Sequence, residues 1–377
     1  MPVSPKDLSA AQLAALDAGL VDAVGAVLDA ELAARRALLE PIAPEAVQLI
    51  DHLETYLEGG KLLRPRFVFW GGVAALDREP DPQEVDSLAR AGAAIELVQA
   101  AALLHDDVID HSPLRRGRPA AHVAAAARHR ELELDGSDEE FGVAAAIILG
   151  DLALSWSEQL AATLRGEPAA LSAGRAEFDA LRTEVMTGQY LDILHQAGGF
   201  ASVPDSVDAA LAVIRWKTVP YTVLRPVRTG AALMGAPDAV LSALSDWAVE
   251  IGTAFQLRDD LLSVVGAQDA TGKPIGGDIV EGKRTVLLAR TEQAVDDAGR
   301  TLLDEVVGCA GASASQIEQV HELMVRTGAV AAVTQEVRDG ALRGRRILER
   351  TPGLGALGVA GLQRIADHAT DVETLTA

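Results

Sequence analysis

Residues 103–110 read LLHDDVID. Two adjacent carboxylates and a third one turn later close an apolar, alanine-rich run. Each residue of an ideal helix turns the side chain by about 100°, so Asp110 lies about 40° and Asp107 about 100° from Asp106, and all three fall in one arc. Gln99 sits about 20° from Asp106, on the same line two turns earlier. Negative charge at a helix C-terminus opposes the macrodipole, so three carboxylates there call for a neutralising cation. Residues 255–263, FQLRDDLLS, repeat the register, with Asp259 and Asp260 paired and Gln256 on the same face. Ser263 stands where the third carboxylate would be. A solvated helix end explains either cluster alone. Two of them on separate apolar helices, each with a glutamine, point to metal. Oxygen donors with no His or Cys completing the set suit Mg²⁺ or Ca²⁺, and neither cluster has EF-hand spacing. Mg²⁺ keeps waters and takes one or two carboxylates plus substrate phosphates, which favours a phosphorylated ligand.

An anionic ligand should leave a basic signature as well. Lys61 and Arg64 lie in GKLLRP, and Arg115 and Arg116 follow the first cluster. Lys217 lies in RWKTVPYT, and Lys273 and Lys283 flank the Gly-rich segment after the second cluster. Arg forks grip phosphate oxygens bidentately, and Lys serves as a mobile point charge. Each cation alone is an ordinary surface residue; their positions beside the acidic motifs give them weight. No GxxxxGK[ST] pattern occurs, which argues against a P-loop nucleotide site.

The elements that must carry these residues are helical. The 377 residues are 49% hydrophobic but only 3% aromatic, dominated by strong helix formers, with few β-branched clusters. Helical patterns are expected over 8–57 with a break near Pro41 and Pro44, then after GGKLLRPRFVFW, and over 84–110, 143–164, 168–197, 206–234 and 237–264. Residues 130–142 read as an acidic, solvated insertion, and 270–285 as a Gly-rich basic segment. No repeat of solenoid length and no Pro, Gly or Ser linker splits the chain, so a single all-α domain over 1–377 is expected.

Bulk properties exclude several functions. A formal charge of −22 repels nucleic acid and anionic headgroups. Cys309 is the only cysteine, so there is no intrachain disulfide and no Cys-based zinc site, and a reducing cytoplasm fits. The N-terminus lacks a basic-then-apolar signal, and no run of about 18 apolar residues is present, so no transmembrane segment is expected.

In order, GKLLRP, ELVQAAALLHDDVIDHSPLRRGRPAAH, ILGD, TGQYLD, KT, FQLRDD and GKPIGGDIVEGKRT resemble the trans-isoprenyl diphosphate synthases over about residues 60–290. FQLRDDLLS and GKRTVLLAR are similar to geranylgeranyl-type members of high-GC Gram-positive bacteria. The resemblance implies a bundle of long helices around a deep central cavity, in a homodimer. It also implies three Mg²⁺ ions: Asp106 and Asp110 binding two on an allylic diphosphate and Asp259 a third. Asp107, Asp260, Asp192 and Gln189 would support them. Arg115, Lys217, Lys283 and Lys273 would grip the allylic diphosphate, and Lys61, Arg64, Gln99 and Arg116 isopentenyl diphosphate. Many relatives have His where Gln99 stands.

In that family's chemistry an allylic cation forms and the isopentenyl double bond attacks it. The Thr218 hydroxyl, Lys217 carbonyl and Gln256 amide oxygen are the dipoles expected to face the cation. Ala102, Val98 and Ile95 lie under the Asp face of the helical wheel, and the resemblance adds Ala101 to the floor. Synthases that stop at farnesyl often place an aromatic ring at one of the two alanine positions, so geranylgeranyl diphosphate or longer is expected, with farnesyl as the alternative. A class I terpene cyclase would need no isopentenyl site, and its Asn/Ser/Glu metal motif is absent. A non-catalytic prenyl-diphosphate-binding subunit is hinted at only by Ser263.

Overall fold

The computed structural model describes residues 9–199, 205–265 and 276–373. The described residues are helical throughout apart from short connections and one two-stranded hairpin, which bears out the all-α expectation. They form two compact units: Met1–Arg182, Arg225–Leu244 and Thr351–Ile365 in the first, and Thr183–Leu224, Ser245–Arg350 and Ala366–Ala377 in the second. No linker composition marks this division, because several of its boundaries fall inside helices, as at 182/183 and 244/245.

The first unit opens with α1 (Ala10–Leu39), a short 3₁₀ turn (Pro44–Val47) and α2 (Gln48–Leu57). Next come α3 (Leu63–Ala75) and α4 (Pro82–Ile109). Helix α4 starts two residues earlier than its apolar pattern suggests. Asp81 accepts from the Gln83 and Glu84 amides, and the Glu84 side chain caps in return, with Pro82 in the first turn. Strands β1 (Leu114–Arg115) and β2 (Arg118–Pro119) pair antiparallel. Arg116 and Gly117 between them both have positive φ, as a two-residue hairpin turn of this hand requires.

Helices α5 (Ala121–Glu131) and α6 (Asp138–Ala161) follow. Only 132–137 of the expected acidic insertion is non-helical. Asp138, Glu139 and Glu140 form the first turn of α6, where their charge complements the dipole and Ser137 caps the Glu140 amide. Val24, Ile50, Leu53, Phe67, Val68, Leu88, Ile95 and Leu104 are fully buried in this unit. Helix α3 touches α9 (Arg225–Leu233) almost backbone to backbone, since a Cβ on Gly230 would lie 1.7 Å from the Val68 carbonyl oxygen.

The second unit includes the C-terminal part of α7 (Pro168–Gln196), α8 (Ser206–Val213) and most of α10 (Asp238–Val265). Between α8 and α9 the chain forms two π-helical turns, Ile214–Thr218 and Pro220–Leu224, where one continuous α-helix was expected. Helix α11 (Gly277–Glu281) leads into further helices up to Arg350. Val219, Leu257, Leu261, Val286, Leu287, Val306, Val320, Val333 and Val337 belong to one buried cluster.

Three helices are long and apolar enough to cross a membrane by length and composition: α1, α4 and α6. The sequence nonetheless holds no unbroken run of about 18 apolar residues. Charged residues interrupt each of the three helices: Asp17 and Asp22 in α1, Arg90 and Glu96 in α4, and Asp151 and Glu158 in α6. In α4 the apolar window is 78% buried inside the protein, against 22% in α1 and 39% in α6.

Candidate functional site

Helix α4 delivers its three aspartates to different environments. Asp106 and Asp110 are half-exposed, whereas Asp107 is completely buried. Asp110 caps the helix, and His111 just beyond it takes a left-handed backbone that ends the run. The buried Asp107 carboxylate accepts from Arg115 Nε at 2.9 and 3.2 Å and from Arg115 Nη2. It also accepts from the Tyr56 hydroxyl. Burial works against the Arg115 charge, but the hydrogen bond to Asp107 and the charges of Asp107 and Asp106 outweigh it and hold the guanidinium above its ordinary pKa. The cation that the C-terminal carboxylates demand is thus partly supplied by the next loop.

Neighbouring Arg116 turns the other way, as successive residues of a strand–turn must. Its Nη1 donates to the carbonyls of Glu58 at 2.5 Å and Tyr56 at 3.2 Å, and its guanidinium lies 3.5 Å from where a Gly60 Cβ would be. Arg66 donates to the Lys61 carbonyl. The GGKLLRP segment is therefore held by two arginines, with exposed Lys61 and half-buried Arg64 on it. Both Arg64 and Arg116 act on the charge of Glu96, which is 6% exposed on α4 one turn before Gln99. Burial nevertheless holds the Glu96 carboxyl above its usual range. The Gln99 amide oxygen is buried and has no hydrogen-bond partner among the described residues. Val98 and Ala101 are fully buried and Ala102 half-buried.

In the second unit a close approach sets the geometry. A Cβ on Gly188 would lie 2.6 Å from Lys217 Cα and 2.7 Å from the Trp216 carbonyl oxygen. The first π-helical turn therefore rests on α7 at this glycine, and π-turns of this kind cluster at functional sites. One turn along α7, Asp192 Oδ2 meets Lys217 Nζ at 2.6 Å, and Gln189 between them is half-buried. Thr218 Oγ1 donates to Gln256 Oε1 at 2.8 Å, and Gln256 Nε2 donates to Asp260 Oδ1 at 2.8 Å.

Asp259 is exposed and Asp260 buried, so the second aspartate pair is split as the first is. Burial, then the charge of Asp278, push the Asp260 carboxyl well above its usual range; the Gln256 bond and Lys283 oppose this, and Asp259 adds to it. Lys283 Nζ lies 2.8 Å from Glu281 and 3.7 Å from Asp278. Ser263 turns back onto its own helix, donating to the Asp260 carbonyl at 2.8 Å. Lys273 lies outside the described residues.

The donor set fits magnesium. Taken unit by unit, half-exposed Asp106 and Asp110 in the first and exposed Asp259 in the second offer only oxygens, and the acidic surroundings of Asp260 are an environment that a divalent cation relieves. Among the described residues no three His, Cys, Asp or Glu side chains group closely enough to hold an ion by themselves. Mg²⁺ completes its shell with water and phosphate oxygens.

The family model for polyprenyl synthetase matches residues 47–324. The chain belongs to the polyprenyl synthetase family. A structure of geranylgeranyl pyrophosphate synthase from Corynebacterium glutamicum, complexed with isoprenyl diphosphate and magnesium, superposes with a TM-score of 0.87 at 36% identity, covering 93% of this chain and 98% of that one. The geranylfarnesyl diphosphate synthase of Natronomonas pharaonis is 31% identical over 78% of this chain and 81% of its own length. The (2E,6E)-farnesyl diphosphate synthase of Mycobacterium tuberculosis is 31% identical over 83% of this chain and 79% of its own. These relatives of the polyprenyl synthetase chain are named for three different products.

Three residues that the motifs do not single out take part in these arrangements. Tyr56 lies five residues before Lys61 with no spacing signal. Glu96 looks like an ordinary helical glutamate until its burial is seen. Asp278 lies inside GGDIVEGK, a segment marked by its glycines and lysines but not by its acid.

Two consequences can be measured. Gly188→Ala overpacks the α7 contact, with an expected loss of about 1–3 kcal/mol of stability. It should also lower turnover at least about tenfold by displacing Lys217; unchanged turnover would separate Lys217 from the chemistry. For Glu96 the folded pKa is raised, so its contribution to stability is full below the unfolded carboxylate value and is lost as pH rises through the folded one. Glu96→Gln should therefore gain stability relative to wild type as pH rises above about 4, the unfolded carboxylate value. Urea denaturation checks this, and parallel pH profiles contradict it.

Proposed function

We propose that this enzyme joins isopentenyl diphosphate to an allylic diphosphate by ionisation, condensation and elimination, and that its product is geranylgeranyl diphosphate or longer. One observation carries the reading. The first unit holds two separate cationic groups, Arg115 beside Asp106 and Asp107, and Arg64 with Arg116 around Glu96. Two such groups suit two diphosphates, as a condensation needs; a cyclase needs one. The family match and the relatives named above support the same reading.

Bound Mg²⁺, held by Asp106, Asp110 and Asp259 with three ions expected, would neutralise charge on the leaving diphosphate. The chain's own groups do the rest. Arg115, Lys217 and Lys283 offer positive charge to the pyrophosphate as the allylic carbon–oxygen bond breaks and its electron pair departs with oxygen. Lys61, Arg64, Gln99 and Arg116 hold the second diphosphate so that its double bond meets the allylic carbon. The new carbon–carbon bond forms, and a proton leaves to the departed pyrophosphate. Thr218 and Gln256 are locked to each other and to Asp260, so their dipoles are fixed before the cation develops. Small Ala101 and Ala102 below Asp106 leave room for a growing prenyl tail.

We extend the proposal to a cytoplasmic homodimer. Phe141, Ile147 and Ile148 are exposed on one stretch of α6, an apolar surface suited to a second copy.

The test is incubation with Mg²⁺, labelled isopentenyl diphosphate and allylic primers of several lengths, followed by sizing of the products. Elongation to geranylgeranyl or longer is expected. Products ending at farnesyl would overturn the length assignment, and a cyclised hydrocarbon from primer alone would overturn the synthase. Asp106→Ala should abolish turnover in a folded protein. Ala102→Phe should shorten the product, and an unchanged product removes Ala102 from the path of the chain.

A further inference from the structure

The geometry points to Tyr56 as a positioning residue that holds both substrate arginines, Arg115 through its hydroxyl and Arg116 through its carbonyl. The inference rests on the two-diphosphate reading above and adds to it the means by which the two cations keep separate directions.

The contacts are specific. The Tyr56 hydroxyl donates to Asp107 Oδ2, and the same carboxylate takes the Arg115 fork. Tyr56 is 8% exposed and Asp107 0%, so the phenol is a buried donor to the Asp107–Arg115 charge pair. Such a pair has a defined geometry only when the remaining lone pairs of the carboxylate are satisfied. Arg115 takes part of that capacity, and the phenol takes the rest. Burial, and then the Asp107 hydrogen bond, keep the phenol protonated and hence a donor. Tyr56 also sits at the end of α2, where backbone carbonyls have no partner within the helix. Its carbonyl and that of Glu58 receive Arg116 instead. Adjacent arginines on one hairpin are thus drawn apart by a single residue.

A tyrosine that merely fills the core would show none of this. Its hydroxyl could be removed with some loss of stability and no preference between substrates. The two anchors on Tyr56 differ chemically, which makes them separable. Tyr56→Phe removes the hydroxyl and leaves the carbonyl.

The experiment is steady-state kinetics of the full chain with Mg²⁺, varying the allylic and isopentenyl diphosphates separately. In Tyr56→Phe the KM for the allylic diphosphate should rise about five- to tenfold, because a charge-assisted network loses a donor. The KM for isopentenyl diphosphate should stay within about twofold, a smaller change than loss of one hydrogen bond produces. In an Arg115→Lys background, which lacks the fork, Tyr56→Phe should add almost nothing. Equal changes in both KM values, or a lower melting temperature with neither changed, would overturn the inference while leaving the synthase reading intact. A wild-type protein that elongates no primer would overturn both. Should Tyr56→Phe fail to fold, Asp107→Asn provides the same comparison of the two KM values, with the same outcomes deciding.

Discussion

Adjacent aspartates cannot both stay ionised on an apolar helix unless cations come from somewhere. Everything in the candidate site follows from how this chain meets that demand. Each pair is split, with one carboxylate turned inward and one outward. Inward Asp107 is matched by Arg115 and Tyr56, and inward Asp260 by Gln256. Asp106 and Asp259 are the outward members, the carboxylates proposed above to bind Mg²⁺. Burial of a charge is tolerated only where the protein supplies the partner, and the arrangement keeps to that rule at Asp107. At Asp260 it does so less completely, and the raised carboxyl pKa registers the difference.

The scaffold serves this electrostatic arrangement by bringing backbones unusually close. Gly188 lets a π-helical turn lie against α7, which puts Lys217 within 2.6 Å of Asp192. The hairpin turn at Arg116 and Gly117 sends two neighbouring arginines in opposite directions. In both places a locally costly backbone is used where a charged side chain must be aimed, and helices packed through small residues hold it.

Much of this was legible in the residues. The helical wheel of α4 put Asp106, Asp107, Asp110 and Gln99 in one arc, and apolar periodicity placed most helices to within a few residues. The order of the motifs indicated the family. What escaped had physical causes. A wheel gives direction around one helix but not what packs against it, so it could not tell buried Asp107 from half-exposed Asp106. Tyr56 and Glu96 matter through partners 51 and 20 residues away at the nearest, Asp107 and Arg116. The π-turns follow no change of periodicity strong enough to read. The two-unit division was hidden because helices run across its boundaries.

The most direct test of the split-pair account is calorimetric titration with a non-ionising allylic thiolodiphosphate, with Mg²⁺ and again with chelator. Outward aspartates should repel a bare diphosphate, so binding should require the metal and weaken at least about a hundredfold without it, the scale of a few kcal/mol of lost charge pairing. Equal affinity in chelator would show that the arginines and lysines alone hold the ligand, and would contradict the account.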